Sequence, residues 1–160
     1  MTELSKSAAK VAALLVQRGE TVSVAESSTG GLISAALLGV PGASAYFVGG
    51  TVVYTKSARD AFLKISLNQL RSVRSATETY ALLLAQSSRE RLTTTWALSE
   101  SGAAGPTGNS YGDNPGHTCI AVSGPSTCTK TFESGLQCRE SNMLLFAEQA
   151  LKLFELALTK

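Results

Sequence analysis

Two stretches of small and hydroxyl-bearing residues stand where a chain can do chemistry. The first is Glu26-Ser27-Ser28-Thr29-Gly30-Gly31, which follows a strand pattern and opens a helix pattern. Its hydroxyls and glycine N–H groups would sit at the positive end of a helix dipole. That geometry suits an anion, or the oxyanion that develops on an attacked carbonyl. An ordinary helix cap is the competing reading, since Ser and Thr are favoured cap residues. The second stretch is Ser101-Gly102-Ala103-Ala104-Gly105-Pro106-Thr107-Gly108, again after a strand pattern. Small residues there let a ligand approach the backbone, and successive N–H groups can cradle a phosphate. A plain surface loop competes with that reading. Two such loops at strand C-termini favour a ligand crevice between them.

Other motifs fail on inspection. Gly50 to Ser57 is one residue short of a phosphate-binding loop, with Thr55 where the second glycine belongs. Its Val52-Val53-Tyr54 run reads better as a buried strand. No G-x-G-x-x-G follows a strand, so the dinucleotide fingerprint is missing. Ser7 to Lys10 matches Ser-x-x-Lys, but mid-helix and without its companion motifs.

The elements that must position these loops follow from periodicity. Leu4, Ala8, Val11, Leu14 and Leu15 give a helix over residues 3–18, with Thr2 as cap and Gly19 as stop. Thr21 to Ala25 reads as a strand and Leu32 to Leu38 as a helix ended by Gly39 and Pro41. Tyr46 to Thr55 is a strand, Ser57 to about Ile65 a helix, and 66–74 a shorter segment. Ser75-Ala76-Thr77-Glu78 fits a capping box opening a helix to about Leu92, with Tyr80, Leu83, Leu84 and Ala85 inward. Thr94 to Leu98 is a buried strand, followed by an irregular stretch from Ser101 to Gly116. Thr118 to Val122 and Cys128 to Phe132 form a hairpin turned at Gly124-Pro125. Ser141 caps a final helix to about Leu158. Strands alternating with helices predict a single α/β domain, layered, with a central mixed sheet flanked by helices.

Composition narrows the class. With 44% hydrophobic and 16% charged residues the chain can bury a core. The fourteen Lys and Arg residues are scattered, and the net charge of +2 gives no footprint for nucleic acid. No stretch suits a membrane span and the N-terminus does not suit a secretory signal. Cys119, Cys128 and Cys138 are too few and too widely spaced for a disulfide framework, and His117 completes no familiar metal set. The expectation is a cytoplasmic protein with reduced thiols, no metal and no cofactor.

The ordered set Ala25-Glu26-Ser27-Ser28-Thr29-Gly30-Gly31, Val40-Pro41-Gly42-Ala43-Ser44, Tyr54, Ser101-Gly102-Ala103-Ala104-Gly105-Pro106 and Arg139 resembles the C-terminal domain of the competence/damage-inducible protein CinA. The resemblance runs from about residue 5 to 158. It implies an α/β amidohydrolase, often dimeric and metal-independent, acting on a small nucleotide: nicotinamide mononucleotide plus water gives nicotinate mononucleotide and ammonia. It further implies Ser27 as nucleophile and Tyr54 as the phenol beside it. Ser28, Thr29, Gly30, Gly31, Ser101, Gly102, Gly105 and Arg139 would bind substrate, with Ser101 and Arg139 on the ribose phosphate and N–H groups near Gly30 on the oxyanion.

One position departs from the family pattern. The family's catalytic lysine, five residues after the tyrosine, is Arg59 here. An arginine stays charged and cannot serve as a base. Three outcomes follow: Arg59 acts electrostatically on Tyr54, Lys56 takes over, or hydrolysis is lost and a nucleotide-binding protein remains. Residues 109–116 also differ from the family's usual continuation, which bears on substrate choice.

Overall fold

A computed structural model describes residues 1–160. Its elements are α1 (Glu3–Arg18), β1 (Val22–Glu26), α2 (Leu32–Leu38), a 3-10 turn (Ala43–Ala45), β2 (Phe47–Val52), α3 (Lys56–Phe62), α4 (Leu67–Leu70), α5 (Glu78–Leu92), β3 (Trp96–Ala103), β4 (His117–Ser123), β5 (Cys128–Glu133) and α6 (Arg139–Leu158). The five strands form one mixed sheet in the order β2-β1-β3-β4-β5. β1 pairs parallel with both β2 and β3, while β3-β4 and β4-β5 are antiparallel.

Helices cover both faces. α1, α2 and α6 pack together on one side, and α5 lies across β1, β3 and β4 on the other. The covered central strands β1 and β4 are therefore buried along their whole length. The larger core, including Leu15, Val24, Ile33, Leu98, Leu151 and Phe154, lies beneath the three-helix face. Trp96 packs edge-on against Phe154 there, with ring centroids 5.7 Å apart. A smaller core of Ala25, Val53, Leu63, Tyr80 and Leu84 lies toward α5 and α3.

The expected layered α/β class is present, and several boundaries move. β3 runs on to Ala103, so Ser101 and Gly102 stand on a strand and not on a loop. The strand is held that far because β4 pairs with it through Ala103. The cap of α5 is Thr77, whose hydroxyl accepts from Tyr80 N–H, and not Ser75. α6 begins at Arg139, two residues before Ser141, whose hydroxyl bonds the sulfur of Cys138 instead of capping the helix.

The chain leaves β1 to one side, forms β2, and returns to the other side of β1 as β3. That reversal opens a crevice at the C-terminal ends of β1 and β3, where α/β sheets bind ligands.

Candidate active site

Ser27 is the first residue past β1 and lines a cavity of about 320 Å³ at that crevice. Tyr54 and Lys56, just beyond β2, line the same cavity, as do Ser101 and Gly102 of β3 and Tyr80 of α5. Ser27 is partly exposed, and its hydroxyl makes no hydrogen bond to another residue. Lys56 is the first residue of α3, whose cap is the hydroxyl of Thr55 accepting from Ala58 N–H. The ammonium of Lys56 has no carboxylate partner. A cavity with an unengaged hydroxyl and an unpaired amine can support nucleophilic attack with proton transfer.

Two buried glutamates shape the loop that carries Ser27. Glu26 turns its carboxylate onto the start of α2. There it accepts from the N–H groups of Gly31, Ile33 and Ser34, at 3.2, 2.9 and 3.0 Å, and from the Ser34 hydroxyl at 2.7 Å. The positive end of that helix is thus occupied by the protein's own carboxylate and is not left for a ligand. No Ser or Thr hydroxyl caps α2 either; its cap position is Gly31, with φ at +103°.

Glu100, on β3, gathers the rest of the loop. It accepts from the N–H groups of Ser27 and Thr29, at 3.2 and 2.9 Å, and from the hydroxyls of Ser28, Thr29 and Thr118. Burial drives its pKa above the ordinary carboxylate value, against the lowering effect of those donors. Thr29 bridges this carboxyl and that of Glu26. Its single hydroxyl hydrogen faces two carboxyl oxygens, Glu26 Oε1 at 2.8 Å and Glu100 Oε2 at 3.0 Å. That one hydroxyl ties the two buried carboxyl groups together.

The hydrogen bonds also sort the loop's backbone donors. Ser27 and Thr29 give their N–H groups to Glu100, Gly30 to the Ser27 carbonyl and Gly31 to Glu26. Ser28 N–H alone has no acceptor in the protein. The N–H groups near Gly30, expected to face an oxyanion, are already spent.

The remaining expected residues are distributed unevenly. Arg59 does not line the Ser27 cavity and makes no hydrogen bond to Tyr54. Its guanidinium binds Asp60 at 2.9 Å, and it lies buried beside Tyr80. Burial opposes its charge, but Tyr80 and Asp60 outweigh that and keep its pKa raised. Ser101 turns its hydroxyl to accept from Ala76 N–H at 3.0 Å. Gly102 is required by close approach, since a Cβ there would run into the His117 carbonyl and Thr118. Arg139 donates to the Gly105 carbonyl at 2.7 Å and to the Tyr54 hydroxyl at 3.1 Å, and its guanidinium stands 6.0 Å from the Tyr54 ring centroid. It ties the phenol to the 105 turn.

Sequence reasoning missed Glu100, Tyr80, Asn109 and Tyr111, of which the last three line the cavity. Glu100 carried a usable signal. An acidic residue within a stretch otherwise fit for burial must be neutral or densely hydrogen-bonded.

The family model described as the CinA C-terminal domain matches residues 4–158. The chain belongs to the CinA C-terminal domain family. A CinA-like protein of Parasynechococcus marenigrum is 40% identical over 126 residues, which cover 79% of this chain and 30% of that protein. A CinA-like protein of Prochlorococcus marinus is 43% identical over 115 residues, 72% of this chain and 27% of that protein. This CinA-type chain therefore spans about three tenths of the length of such relatives. The crystal structure of competence/damage inducible protein CihA from Agrobacterium tumefaciens superposes with a TM-score of 0.91 at 27% identity, covering 100% of this chain and 98% of that one. No helix of this chain is long and apolar enough to cross a membrane.

Proposed function

We propose that this CinA-family domain is a metal-independent amide hydrolase for a small pyridine nucleotide, with nicotinamide mononucleotide as the reference substrate. One observation carries the reading: Ser27, Tyr54 and Lys56 line one cavity, with the Ser27 hydroxyl unengaged. Ser27 Oγ attacks the carboxamide carbon and passes its proton to the Lys56 side chain, which enters the step as the neutral amine, with the Tyr54 phenol in the same cavity. The carbonyl oxygen becomes an oxyanion that can accept a hydrogen bond from Ser28 N–H, the loop donor with no acceptor in the protein. A serine followed by the residue whose N–H binds the oxyanion is an economical arrangement for acyl transfer. The C–N bond then breaks, the nitrogen takes the proton and leaves as ammonia, and water hydrolyses the Ser27 ester to the carboxylate.

Lys56 is the better candidate for the proton acceptor than Arg59. An amine can lose its proton and a guanidinium cannot, and Arg59 is engaged with Asp60 outside the cavity. Arg139 acts through Tyr54, whose ring it holds, and not as the main phosphate ligand. The cytoplasmic setting and a second copy of the chain belong to this reading as well.

Trapping tests it. With hydroxylamine present, an acyl–Ser27 intermediate partitions to the hydroxamate of the substrate acid, detectable by mass spectrometry. The hydroxamate should form with the wild type and vanish in Ser27→Ala. Nucleotide binding without acid or hydroxamate would leave a binding protein in place of the hydrolase.

A further inference from the structure

Beside the Ser27 cavity lies a larger one, of about 620 Å³, between α3 and the segment that joins α4 to α5. The two share Lys56, Ser75 and Tyr111 in their walls, so they meet along a common rim. Four cations line the larger cavity: Lys56 and Arg59 from α3, Arg71 and Arg74 from the following segment. Asp60 pairs with Arg59, and Asp113 pairs with Arg74 at 2.8 Å. Lys56 and Arg71 have no carboxylate partner. The whole chain carries a net charge of only +2, so this is a local excess of positive charge.

We propose that this groove is an anion subsite continuous with the Ser27 cavity, and that it takes the diphosphate of an amide-bearing dinucleotide. The inference rests on the amide-hydrolase reading of the Ser27 cavity. Arg71 is unpaired and shares the lining with Arg59 and Arg74, guanidinium groups that keep their charge whatever the state of Lys56, so a diphosphate there gains charge-assisted hydrogen bonds. Arg139, with two of its N–H groups on Gly105 and Tyr54, is the poorer phosphate ligand. Size points the same way. The Ser27 cavity alone is at the lower end of ordinary ligand sites, roughly 300–1,000 Å³, and the two cavities together approach the upper end. The larger one also offers apolar surface from Leu67, Leu70 and Val73 with the ring of Tyr111, over which Arg74 stands at 5.1 Å. That surface fits the base of a second nucleoside.

Arg71 is the residue to change, because it is exposed, unpaired and outside the proposed catalytic set. Wild type, Arg71→Lys and Arg71→Glu, with Arg91→Glu as a distant charge control, would be titrated calorimetrically. The probes are nicotinamide riboside, nicotinamide mononucleotide, nicotinamide adenine dinucleotide and inorganic pyrophosphate, at two salt concentrations. Dinucleotide and pyrophosphate should bind the wild type and weaken at higher salt. Arg71→Glu should weaken both by at least about tenfold, Arg71→Lys far less, and Arg91→Glu hardly at all. Riboside binding should not respond to Arg71. Equal affinity of Arg71→Glu and wild type for dinucleotide and pyrophosphate would overturn the subsite, even with full ammonia release from the mononucleotide. Arg71-dependent binding of both, with no ammonia released from any of the amides, would uphold the subsite and remove the hydrolase reading instead.

Discussion

Replacing Glu100 separates two accounts of the loop that holds Ser27. If the side chain is a neutral acid, Glu100→Gln keeps its shape and its carbonyl acceptor. The amide oxygen can take the place of Oε2 and accept from Ser27 and Thr29 N–H. The amide NH2 then faces Ser28 and Thr118, hydroxyls that can rotate to accept. The cost at acid pH should be within about 1 kcal/mol. Glu100→Ala strands the two backbone donors and empties the space, which should cost about 3–5 kcal/mol at about 1–3 kcal/mol per unsatisfied buried group. Since the folded pKa is raised, the stability contributed by the proton is complete below the ordinary carboxylate value of 4.5. It is lost as pH rises through the folded value. Glu100→Gln carries no such proton and should gain on the wild type as pH rises. Denaturant unfolding at several pH values, followed through the single tryptophan, Trp96, measures this directly. A Glu100→Gln protein weaker than wild type by several kcal/mol at every pH would show an ionised carboxylate and refute the reasoning. Turnover should survive in Glu100→Gln and fall in Glu100→Ala.

Three further expectations follow from the same packing. His117 places Nδ1 2.5 Å from Glu133 and Nε2 2.8 Å from the Ala76 carbonyl, with Asp113 and Cys119 also facing it. Burial opposes its charge, yet Glu133, Ala76 and Asp113 prevail and raise its pKa. The stability it contributes should be complete below 6.5 and shrink as pH climbs through the folded value, so the deficit of His117→Gln should narrow toward alkaline pH in the same unfolding assay. Gly124→Ala would drive a methyl into the Trp96 ring and should cost about 1–3 kcal/mol with a changed tryptophan emission; an unchanged melting point would contradict it. Arg139→Ala frees Tyr54 from the 105 turn and should lower kcat by about tenfold or more while leaving thermal stability nearly intact.

The sequence was most legible where periodicity decides structure. α1 lies where its apolar spacing and its Thr2 cap put it, and α2 where its apolar run before Gly39 and Pro41 put it, because these signals act locally. Legibility failed at β3, where composition ended the strand at Leu98 and pairing with β4 carries it to Ala103. Small residues such as Ser101 and Gly102 have little propensity to show; the partner strand decides. Helix starts failed similarly, since Ser75 and Thr77 are equally good caps by type and only the path of the chain chooses Thr77. At the site, the motif marked Ser27 and Tyr54 as candidates, while which of Lys56 and Arg59 lines their cavity depended on the turn of α3. Lys56 lines the Ser27 cavity, and Arg59, one turn later, lies beside Asp60 and Tyr80. Glu100 is far from Ser27 in sequence and is brought beside it by the β1–β3 pairing.

Ammonia release from nicotinamide mononucleotide by the wild type, Ser27→Ala, Lys56→Met and Arg59→Lys is the direct test of the catalytic assignment. The account predicts turnover by the wild type, none above background in Ser27→Ala, and a loss of roughly 10²–10⁴-fold in Lys56→Met as expected for general-base catalysis. Arg59→Lys should be close to wild type, because that side chain lies outside the cavity. A folded Ser27→Ala protein with full activity, or a Lys56→Met protein as fast as wild type beside a disabled Arg59→Lys, would contradict it.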